Sequence, residues 1–441
     1  MTFRVAALAV AAAVAVLTAC GGSPTSAAGS TESHLPASGD ATAPAAPSPP
    51  AAVAAGYAPR QFLVAYGIQP LLDRGIDGHG VAVLLPEQAE IGPARPPAVT
   101  DIRQDVADFD SRFGLPPARI QVITTLAGPG ASPWLASQEE VEDTEMVHAV
   151  APGATIVELP YSAAAVSTPA KLAATYTTAT RIAVGHADVI SLSATLGEHF
   201  FTSAEVATIN SALRSAASRH LTFVASSGDE GAISDLGGFG SSAPVEEVSL
   251  PASDPFVLAV GGTSLTANPV TGAYLSETAW NTLPALTSGR HSDASAGGFS
   301  HLFARPAYQD GVPGTGATRG VPDVAGDASP DTGMMLAVTA PDGTYTLMAA
   351  AGTSAATPFW AGLIALADQQ AGHPLGFVNP AIYQIARGPL YHKAFHDVTT
   401  GNNTVVVNGA AITGYQAGPG WDPVTGWGTP DAQVLVPLLA R

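Results

Sequence analysis

The sequence of 441 residues is poor in cysteine and in cations. It contains one cysteine, Cys20, and 17 lysine and arginine residues against 36 aspartate and glutamate residues. A single cysteine excludes an intrachain disulfide and any metal site built from several thiolates. The formal net charge of −19 and the absence of a basic stretch exclude a surface that neutralises nucleic-acid phosphates. Few cations suit a protein that works in acid, although ordinary solubility explains an acidic surface equally well.

The sequence also lacks a long membrane-spanning run at its start. Arg4 precedes a short apolar stretch at residues 5–17, which is typical of a secretory signal. The ending Leu-Thr-Ala-Cys at residues 17–20 resembles the bacterial lipoprotein signal, in which the cysteine is lipidated. We therefore expect a signal peptide over residues 1–19 and an exported protein whose lipidated Cys20 holds it on a membrane surface. A plain signal with a chance cysteine is the alternative.

Residues 20–56 consist mainly of alanine, proline, serine, threonine and glycine, with almost no large apolar residue. Such a segment buries too little surface to offset its ordering entropy, so we expect a flexible tether. Globular sequence begins near Tyr57 and shows no repeat or internal boundary. This predicts one large domain over residues 57–441, and nothing in it suggests an obligate partner, so we expect a monomer.

Apolar runs rich in β-formers alternate with helical patterns. The predicted strands are residues 81–85, 154–159, 187–192, 221–225 and 256–260. The predicted helices are residues 170–178, with Thr168 as cap and Pro169 in the first turn, and residues 203–218. This alternation predicts an α/β, doubly wound fold with a mostly parallel sheet and helices on both faces. In such a sheet, ligands bind beyond the carboxyl ends of the strands.

The string Gly-Thr-Ser-Ala-Ala-Thr-Pro at residues 352–358 points to a nucleophile. Ser354 follows two turn-permissive residues and precedes an apolar run at 359–366 that predicts a buried helix. A serine at the mouth of such a helix is exposed to attack and lies in the positive end of the helix dipole. Taken alone, the string also fits an ordinary helix cap.

A serine nucleophile needs a base. None of the 11 histidines stands in the His-Gly-Thr setting of a subtilisin-like base, although His148, on a plausible helix, remains a candidate. Glu139 and Asp143 are better candidates, because residues four apart stack on one helix face. Two close carboxylates tend to share one proton, which gives a base that works at low pH. A solvated acidic helix start is the alternative reading.

Asp229 lies in the loop Ser-Ser-Gly-Asp-Glu-Gly after the fourth predicted strand. An ordinary loop aspartate would form an Asx turn here. In a buried acidic site, the same carboxyl could stay protonated and donate a hydrogen bond to a developing oxyanion.

Together these residues resemble the sedolisin family of serine-carboxyl peptidases, the acid-acting relatives of subtilisin. The resemblance covers the chain from Tyr57 onward and rests on segments in the same order, namely residues 78–80, the Glu139/Asp143 helix, 151–154, 188–193, 228–231, 319–326 and 352–354. It implies a subtilisin-like fold and an endopeptidase acting on peptides or proteins. Ser354 would be the nucleophile, Glu139 the base, Asp143 its partner and Asp229 the oxyanion donor. The alternatives are a Ser/His/Asp hydrolase using His148 and an inactive, surface-anchored binding protein.

The resemblance also implies one structural calcium ion in a C-terminal loop. Its ligands would be the side chains of Asp397 and Asp422 and the carbonyls of Val398, Gly418 and Gly420. Hard carboxylates beside glycine-rich backbone suit calcium, whereas without the family the segment is simply a tight loop.

Three features depart from the family pattern. Members usually carry a large amino-terminal propeptide, whereas only the tether precedes Tyr57. Ala194 and Thr195 stand where many members have an aromatic residue and then glycine. In some members an acid ends the first strand and joins the catalytic hydrogen bonds, and we expect its equivalent here to be Leu85. The last two features predict a reshaped substrate groove and a shorter proton network.

Overall fold

The structure, a computed structural model, describes residues 56–88, 101–128, 136–234, 245–283, 292–339, 344–407 and 409–441. The predicted signal peptide, the lipidation site Cys20 and the tether up to residue 55 lie outside these residues and stay predictions. Within the described ranges, no helix combines the length and the apolar character that crossing a bilayer requires.

The described residues form ten α-helices, four short 3₁₀ helices and twenty strands, numbered along the chain. Helices α1 to α10 are Pro59–Ala65, Gln69–Leu72, Ile102–Phe113, Gln138–Val150, Pro169–His186, Ser203–Ala217, Gly352–Ala371, Asn379–Ala386, Tyr391–Ala394 and Ala432–Leu439. The 3₁₀ helices are Thr124–Leu126, Ala163–Val166, Glu198–Phe200 and Ala307–Gln309. Strands β1 to β20 are Ala82–Gln88, Arg119–Val122, Thr155–Tyr161, Val189–Leu192, Leu196–Gly197, Thr222–Ser226, Ile233–Ser234, Val245–Glu246, Ser249–Leu250, Leu258–Ala267, Tyr274–Ala279, Gly298–Ala304, Thr318–Val321, Val324–Asp327, Met335–Thr339, Tyr345–Ala349, Phe395–His396, Val405–Val407, Ala410–Ile412 and Thr429–Pro430.

The main sheet has eight strands in the order β2-β3-β1-β4-β6-β10-β11, with β14 also paired to β10. Every pair is parallel except β10 with β11. The five predicted strands are five of its members, β1, β3, β4, β6 and β10. The mostly parallel α/β sheet is therefore confirmed.

The sheet separates two hydrophobic cores, because successive side chains of a strand point to opposite faces. Val83 and Leu85 of β1 pack into the core that holds α4 and α7, whereas Leu84 packs into the core that holds α5 and α6. Helices therefore cover both faces, as the doubly wound fold requires.

Local sequence fixes where the helices begin. The side chain of Thr168 caps α5 by accepting from the amide of Lys171 at 3.3 Å, with Pro169 at the first helical position. Ser137 caps α4 in the same way through the amide of Glu140, at 3.0 Å. Helix α7 differs, because its N-cap residue, Ala351, supplies no side-chain cap. Its first amides must therefore find acceptors elsewhere in the fold.

Candidate active site

Ser354 is the third residue of α7, and 8% of its surface is exposed. It follows Gly352, whose φ of +77° favours glycine. A Cβ at Gly352 would also lie 2.6 Å from Oδ2 of Asp229. The glycine therefore lets the backbone before Ser354 approach the Asp229 carboxyl closely.

Pro358 explains the proline of the sequence motif. It lies inside α7 and has no N–H, so it cannot donate the helical hydrogen bond to the carbonyl of Ser354 four residues earlier. That carbonyl oxygen instead lies 3.4 Å from the hydroxyl of Ser193, which follows β4. The start of the nucleophile helix therefore lies close to the end of a central strand.

Glu139 lies in the first turn of α4, half-buried and facing α7. The hydroxyl of Ser354 is hydrogen-bonded to its carboxyl group. Burial raises the pKa of Glu139, the hydrogen bond with Ser354 lowers it, and the nearby Asp229 charge raises it, with a net increase. The structure thus brings together the predicted nucleophile and the predicted base.

Asp143 is fully buried one turn further along α4. Its Oδ2 accepts a hydrogen bond from the hydroxyl of Ser193 at 2.8 Å. Burial and the charge of Glu139 raise the pKa of Asp143 well above its ordinary value, while hydrogen bonds from Glu87 and Ser193 lower it. Hydrogen bonds from Glu87 on β1 and from Ser193 after β4 therefore fix Asp143 beside Glu139.

Glu87 on β1 is an acid of the site that sequence reasoning missed. Its carboxyl group is hydrogen-bonded to that of Asp143, and burial raises the pKa of Glu87 well above its ordinary value. A contact between two carboxyl groups requires a shared proton, and Glu87 is the donor, because their hydrogen bond raises the pKa of Glu87 and lowers that of Asp143. Glu87 is thus a third acid of the site, beside Asp143 and Glu139.

The expectation that Leu85 replaces this acid is wrong, and so is the expected shortening of the proton network. Leu85 packs into the hydrophobic core, and Glu87 is the next residue on the same face of β1. The alternation from Val83 through Leu85 to Glu87 is a signal that could have located the acid.

Asp229 follows β6 and reaches the first turn of α7. Its Oδ1 accepts from the amide of Thr353 at 2.8 Å and from the hydroxyl of Thr353 at 2.7 Å. Burial raises the pKa of Asp229 despite these hydrogen bonds. Since Oδ1 holds Thr353, Oδ2, which lies beside Gly352, is the oxygen left to carry a proton.

Thr195 stands near the same loop. Its Oγ1 would lie 3.6 Å from a Cβ built at Gly228, and the carbonyl of Ala194 accepts from the hydroxyl of Tyr176 at 3.1 Å. The two residues that depart from the family pattern therefore lie between β4 and the Asp229 loop.

His148 is not brought to Ser354. It lies nine residues beyond Glu139 on α4, about 13 Å along the axis at a rise of about 1.5 Å per residue. Its Nε2 lies 2.8 Å from Oδ1 of Asp110 and 2.9 Å from the carbonyl oxygen of Pro116. Fully buried in these contacts, His148 serves the packing of α3 against α4.

The five predicted calcium ligands surround one turn. The amide of Gly420 lies 3.1 Å from both carboxylate oxygens of Asp397, and the amide of Gly418 lies 3.1 Å from Oδ2 of Asp422. The hydroxyl of Thr425 lies 3.1 Å from Oδ2 of Asp422 and 3.4 Å from the carbonyl oxygen of Val398. No cluster of three or more His, Cys, Asp or Glu side chains suited to a metal occurs in the described part of the chain. A cation at this turn would therefore also need carbonyl ligands.

The chain has a doubly wound sheet and a serine at the start of a buried helix, and a carboxyl group is hydrogen-bonded to the hydroxyl of that serine. These features define a subtilisin-like class of protein. The sequence model of the subtilase family matches residues 128–428, and the chain belongs to that family. Kumamolisin from Bacillus sp. (strain MN-32) is 37% identical over 314 residues, covering 68% of this chain and 51% of its own length. Tripeptidyl-peptidase 1 from Homo sapiens is 32% identical over 262 residues, covering 55% and 41%.

A solved structure shows the same fold. Pseudomonas sedolisin, a serine-carboxyl proteinase complexed with two molecules of pseudo-iodotyrostatin, matches with a TM-score of 0.70 and 29% identity, over 87% of this chain and 98% of that chain. These comparisons confirm the resemblance to the sedolisin family. The chain spans about half the length of kumamolisin, or 51%.

Proposed function

We propose that the chain is an acid-acting serine-carboxyl peptidase that hydrolyses peptide bonds through an acyl-enzyme at Ser354. The observation that carries this proposal is the hydrogen bond between the Ser354 hydroxyl and the Glu139 carboxyl group. A nucleophile and a base within hydrogen-bond reach, with a third group orienting the base, are the parts that acyl transfer requires.

In the proposed reaction, Oγ of Ser354 attacks the peptide carbonyl carbon and passes its proton to Glu139. The Ser354 amide, in the first turn of α7, and the protonated Oδ2 of Asp229 stabilise the oxyanion. Collapse of the intermediate breaks the C–N bond, and Glu139 gives the proton to the departing amine. A water molecule, deprotonated by Glu139, then attacks the acyl carbon. The bond to Oγ breaks, Glu139 returns its proton to Oγ of Ser354, and the acid product leaves.

The acid network explains why carboxyl groups would do this work. Near acidic pH a histidine is protonated and cannot accept a proton, because its ordinary pKa is about 6.5. Glu139 has a raised pKa, yet the hydrogen bond from Ser354 favours its ionised form. Asp143, with Glu87 and Ser193 as donors, stands as its buried partner. Proton transfer by the carboxyl groups of Glu139 and Asp143 should therefore be more effective in acid than at neutral pH.

Variants of three of these residues test the mechanism. We expect Glu139→Gln to lower kcat/KM by about 10²- to 10⁴-fold, as for loss of a general base. Asp229→Ala, which removes the donor, should lower kcat by on the order of 10²- to 10³-fold. Ser354→Ala should abolish covalent labelling by a peptide aldehyde or fluorophosphonate. Activity that peaks above neutral pH and survives Glu139→Gln would refute the mechanism, and a protein that never reacts with either probe would be a binding protein.

We further propose that the enzyme cleaves within peptides or proteins. One relative is a tripeptidyl-peptidase by name, so the alternative is removal of short N-terminal units. Digestion of a peptide library at acidic pH, read by mass spectrometry, separates the two. Internal cuts at positions independent of the N terminus support an endopeptidase, whereas regular release of terminal tripeptides contradicts it.

We propose one structural calcium ion at the turn between Asp397 and Asp422. Two carboxylates and the carbonyls of Val398, Gly418 and Gly420 form an all-oxygen donor set, which calcium prefers. An ion there would supply charge that holds this loop in place. Calorimetric titration of the chelated protein tests the site, and Asp422→Asn should abolish binding.

We also propose export and lipidation at Cys20, which rest on the sequence signal alone. Metabolic labelling with a radioactive fatty acid should mark the wild-type protein and leave Cys20→Ser unlabelled. Equal labelling of both would contradict the anchor without bearing on the chemistry of Ser354.

A further inference from the structure

Helix α4 places a third acid beside the two predicted catalytic ones. Glu142 is 6% exposed, and its Oε2 accepts a hydrogen bond from the amide of Ala351 at 3.3 Å. Its other oxygen, Oε1, is buried and has no hydrogen-bond partner among the described residues. Neither the sequence motif nor the proposed mechanism uses this side chain.

The bond to Ala351 is the first of three consecutive anchors at the start of α7. The amide of Gly352 donates to the carbonyl of Ala328 at 2.8 Å, and the amide of Thr353 donates to Asp229 at 2.8 Å. The next residue is Ser354. Because Ala351 has no capping side chain, Glu142 is the group that fixes the entry of the chain into this turn.

The charged groups that act on Glu142 are all acids. Glu139 and Asp143 face it from its own helix, and Asp229 faces it from the loop after β6. Helix α7 contributes the backbone amide of Ala351 at this contact. Burial and these three carboxyl groups raise the pKa of Glu142 well above its ordinary value. Glu142 therefore holds its proton under the acidic conditions in which the site would work.

We propose that Glu142 is a positioning residue, which as a neutral carboxylic acid holds the amide of Ala351 and thereby sets the place of Ser354 relative to Glu139. The inference rests on the proposed peptidase function of Ser354. The neutral form matters, because an ionised Glu142 would add a negative charge beside Glu139 and Asp143.

Two substitutions of Glu142 separate its role as hydrogen-bond acceptor for the amide of Ala351 from the effect of its charge. Glu142→Gln keeps a neutral acceptor of the same length and should retain the wild-type kcat in acid. Glu142→Leu removes the acceptor and should lower kcat by about 10- to 100-fold with KM little changed, because small displacements of a reacting group have effects of this size. Glu140→Gln is the matched control and should retain the wild-type kcat. Glu140 is a buried acid on the same helix, but its charge raises the pKa of Glu158 instead.

Hydrogen exchange supplies a readout that does not need activity. The segment 349–354, followed by mass spectrometry, should lose protection in Glu142→Leu and keep it in Glu142→Gln. A folded Glu142→Leu with wild-type kcat and protection overturns the proposal. So does a folded Glu142→Gln with a large loss of kcat, even where the leucine variant fails to fold. If the wild-type protein shows no peptidase activity, the proposed function fails, and the exchange result alone decides whether Glu142 holds Ala351.

Discussion

The hydroxyl oxygen of Ser193 lies 3.4 Å from the backbone carbonyl oxygen of Ser354. The same hydroxyl is 2.8 Å from Oδ2 of Asp143, to which it donates its one proton. Pro358 makes this arrangement possible, because it leaves the Ser354 carbonyl without a helical donor. The end of β4 therefore links the nucleophile to the acid pair.

Ser193→Ala should shift the acid limb of activity. The hydrogen bond from Ser193 lowers the pKa of Asp143, so its loss raises that pKa. The pair formed by Glu139 and Asp143 then loses its first proton only at a higher pH. The acid limb of the pH profile of kcat/KM should therefore move to higher pH. We expect a loss of roughly 10-fold in acid, in line with about 1.5 kcal/mol for a hydrogen bond to a charged group. Thr180→Ala, whose hydroxyl bonds to its own helix α5, is the control. Coincident pH profiles for Ser193→Ala and wild type would speak against this link.

Substitutions of Glu87 should depend on whether a donor remains. Glu87→Gln keeps an N–H that can donate to Asp143, and we expect activity close to wild type. Glu87→Leu removes the donor, and we expect kcat/KM in acid to fall by about 10- to 100-fold, the equivalent of ~1.5–3 kcal/mol for a hydrogen bond to a charged group. Steady-state kinetics on the two purified variants measure the difference. Equal activities of Glu87→Gln and Glu87→Leu would mean that Asp143 does not need a hydrogen-bond donor at position 87.

Stability should fall as pH rises from acid to neutral. Asp105 is buried beside Glu145, and burial raises the pKa of Asp105 from 3.8 to about 6. A carboxyl group with a raised pKa in the folded state stabilises the fold below its unfolded pKa, and this contribution is lost as pH rises through about 6. The loss amounts to roughly 3 kcal/mol for Asp105, at about 1.4 kcal/mol per pKa unit.

Thermal melts in acid and at neutral pH measure this effect. The wild-type Tm should be higher in acid, and Asp105→Asn should show a smaller difference, because asparagine does not ionise. Identical pH dependence in the two proteins would show that Asp105 does not contribute.

Removal of calcium should lower stability without altering the chemistry. A ligand at about 100 times its Kd stabilises a fold by about 2.7 kcal/mol, so chelation should lower Tm measurably. Asp422→Asn should have the Tm of the chelated protein and should not respond to added calcium. Asp331→Asn, at an exposed position, is the control and should respond like wild type. A wild-type Tm that is insensitive to chelation would remove the proposed site.

The sequence predicted the strands of the sheet centre well, because continuous apolar runs have few other solutions. β1, β3, β4, β6 and β10 all begin within two residues of the predicted positions. Ends were harder. Strand β10 continues seven residues past its predicted end, because it pairs with β14 and β11, which the local pattern does not reveal. Helix α5 likewise continues past its predicted end to His186, because its buried face extends to Ala183.

At the site, the sequence located the residues that stand in motifs. Glu139 and Asp143 share a helix and Ser354 opens another, as spacing predicted. Glu87 was missed because the apolar run that predicts the strand ends at Leu85, before Pro86, although strand alternation places Leu85 and Glu87 on one face. Glu142 and Ser193 could not be assigned, because their roles depend on contacts with α7 and α4 that only the folded chain brings together.

The reaction rate of Ser354 with a covalent probe, followed from acid to neutral pH, tests whether Glu139 is the base that activates Ser354. We expect that wild type reacts fastest in acid, that Glu139→Gln is slower by about 10²- to 10⁴-fold, and that His148→Gln reacts like wild type. A rate that rises through about pH 6.5, the ordinary pKa of histidine, and that survives Glu139→Gln but not His148→Gln would contradict it.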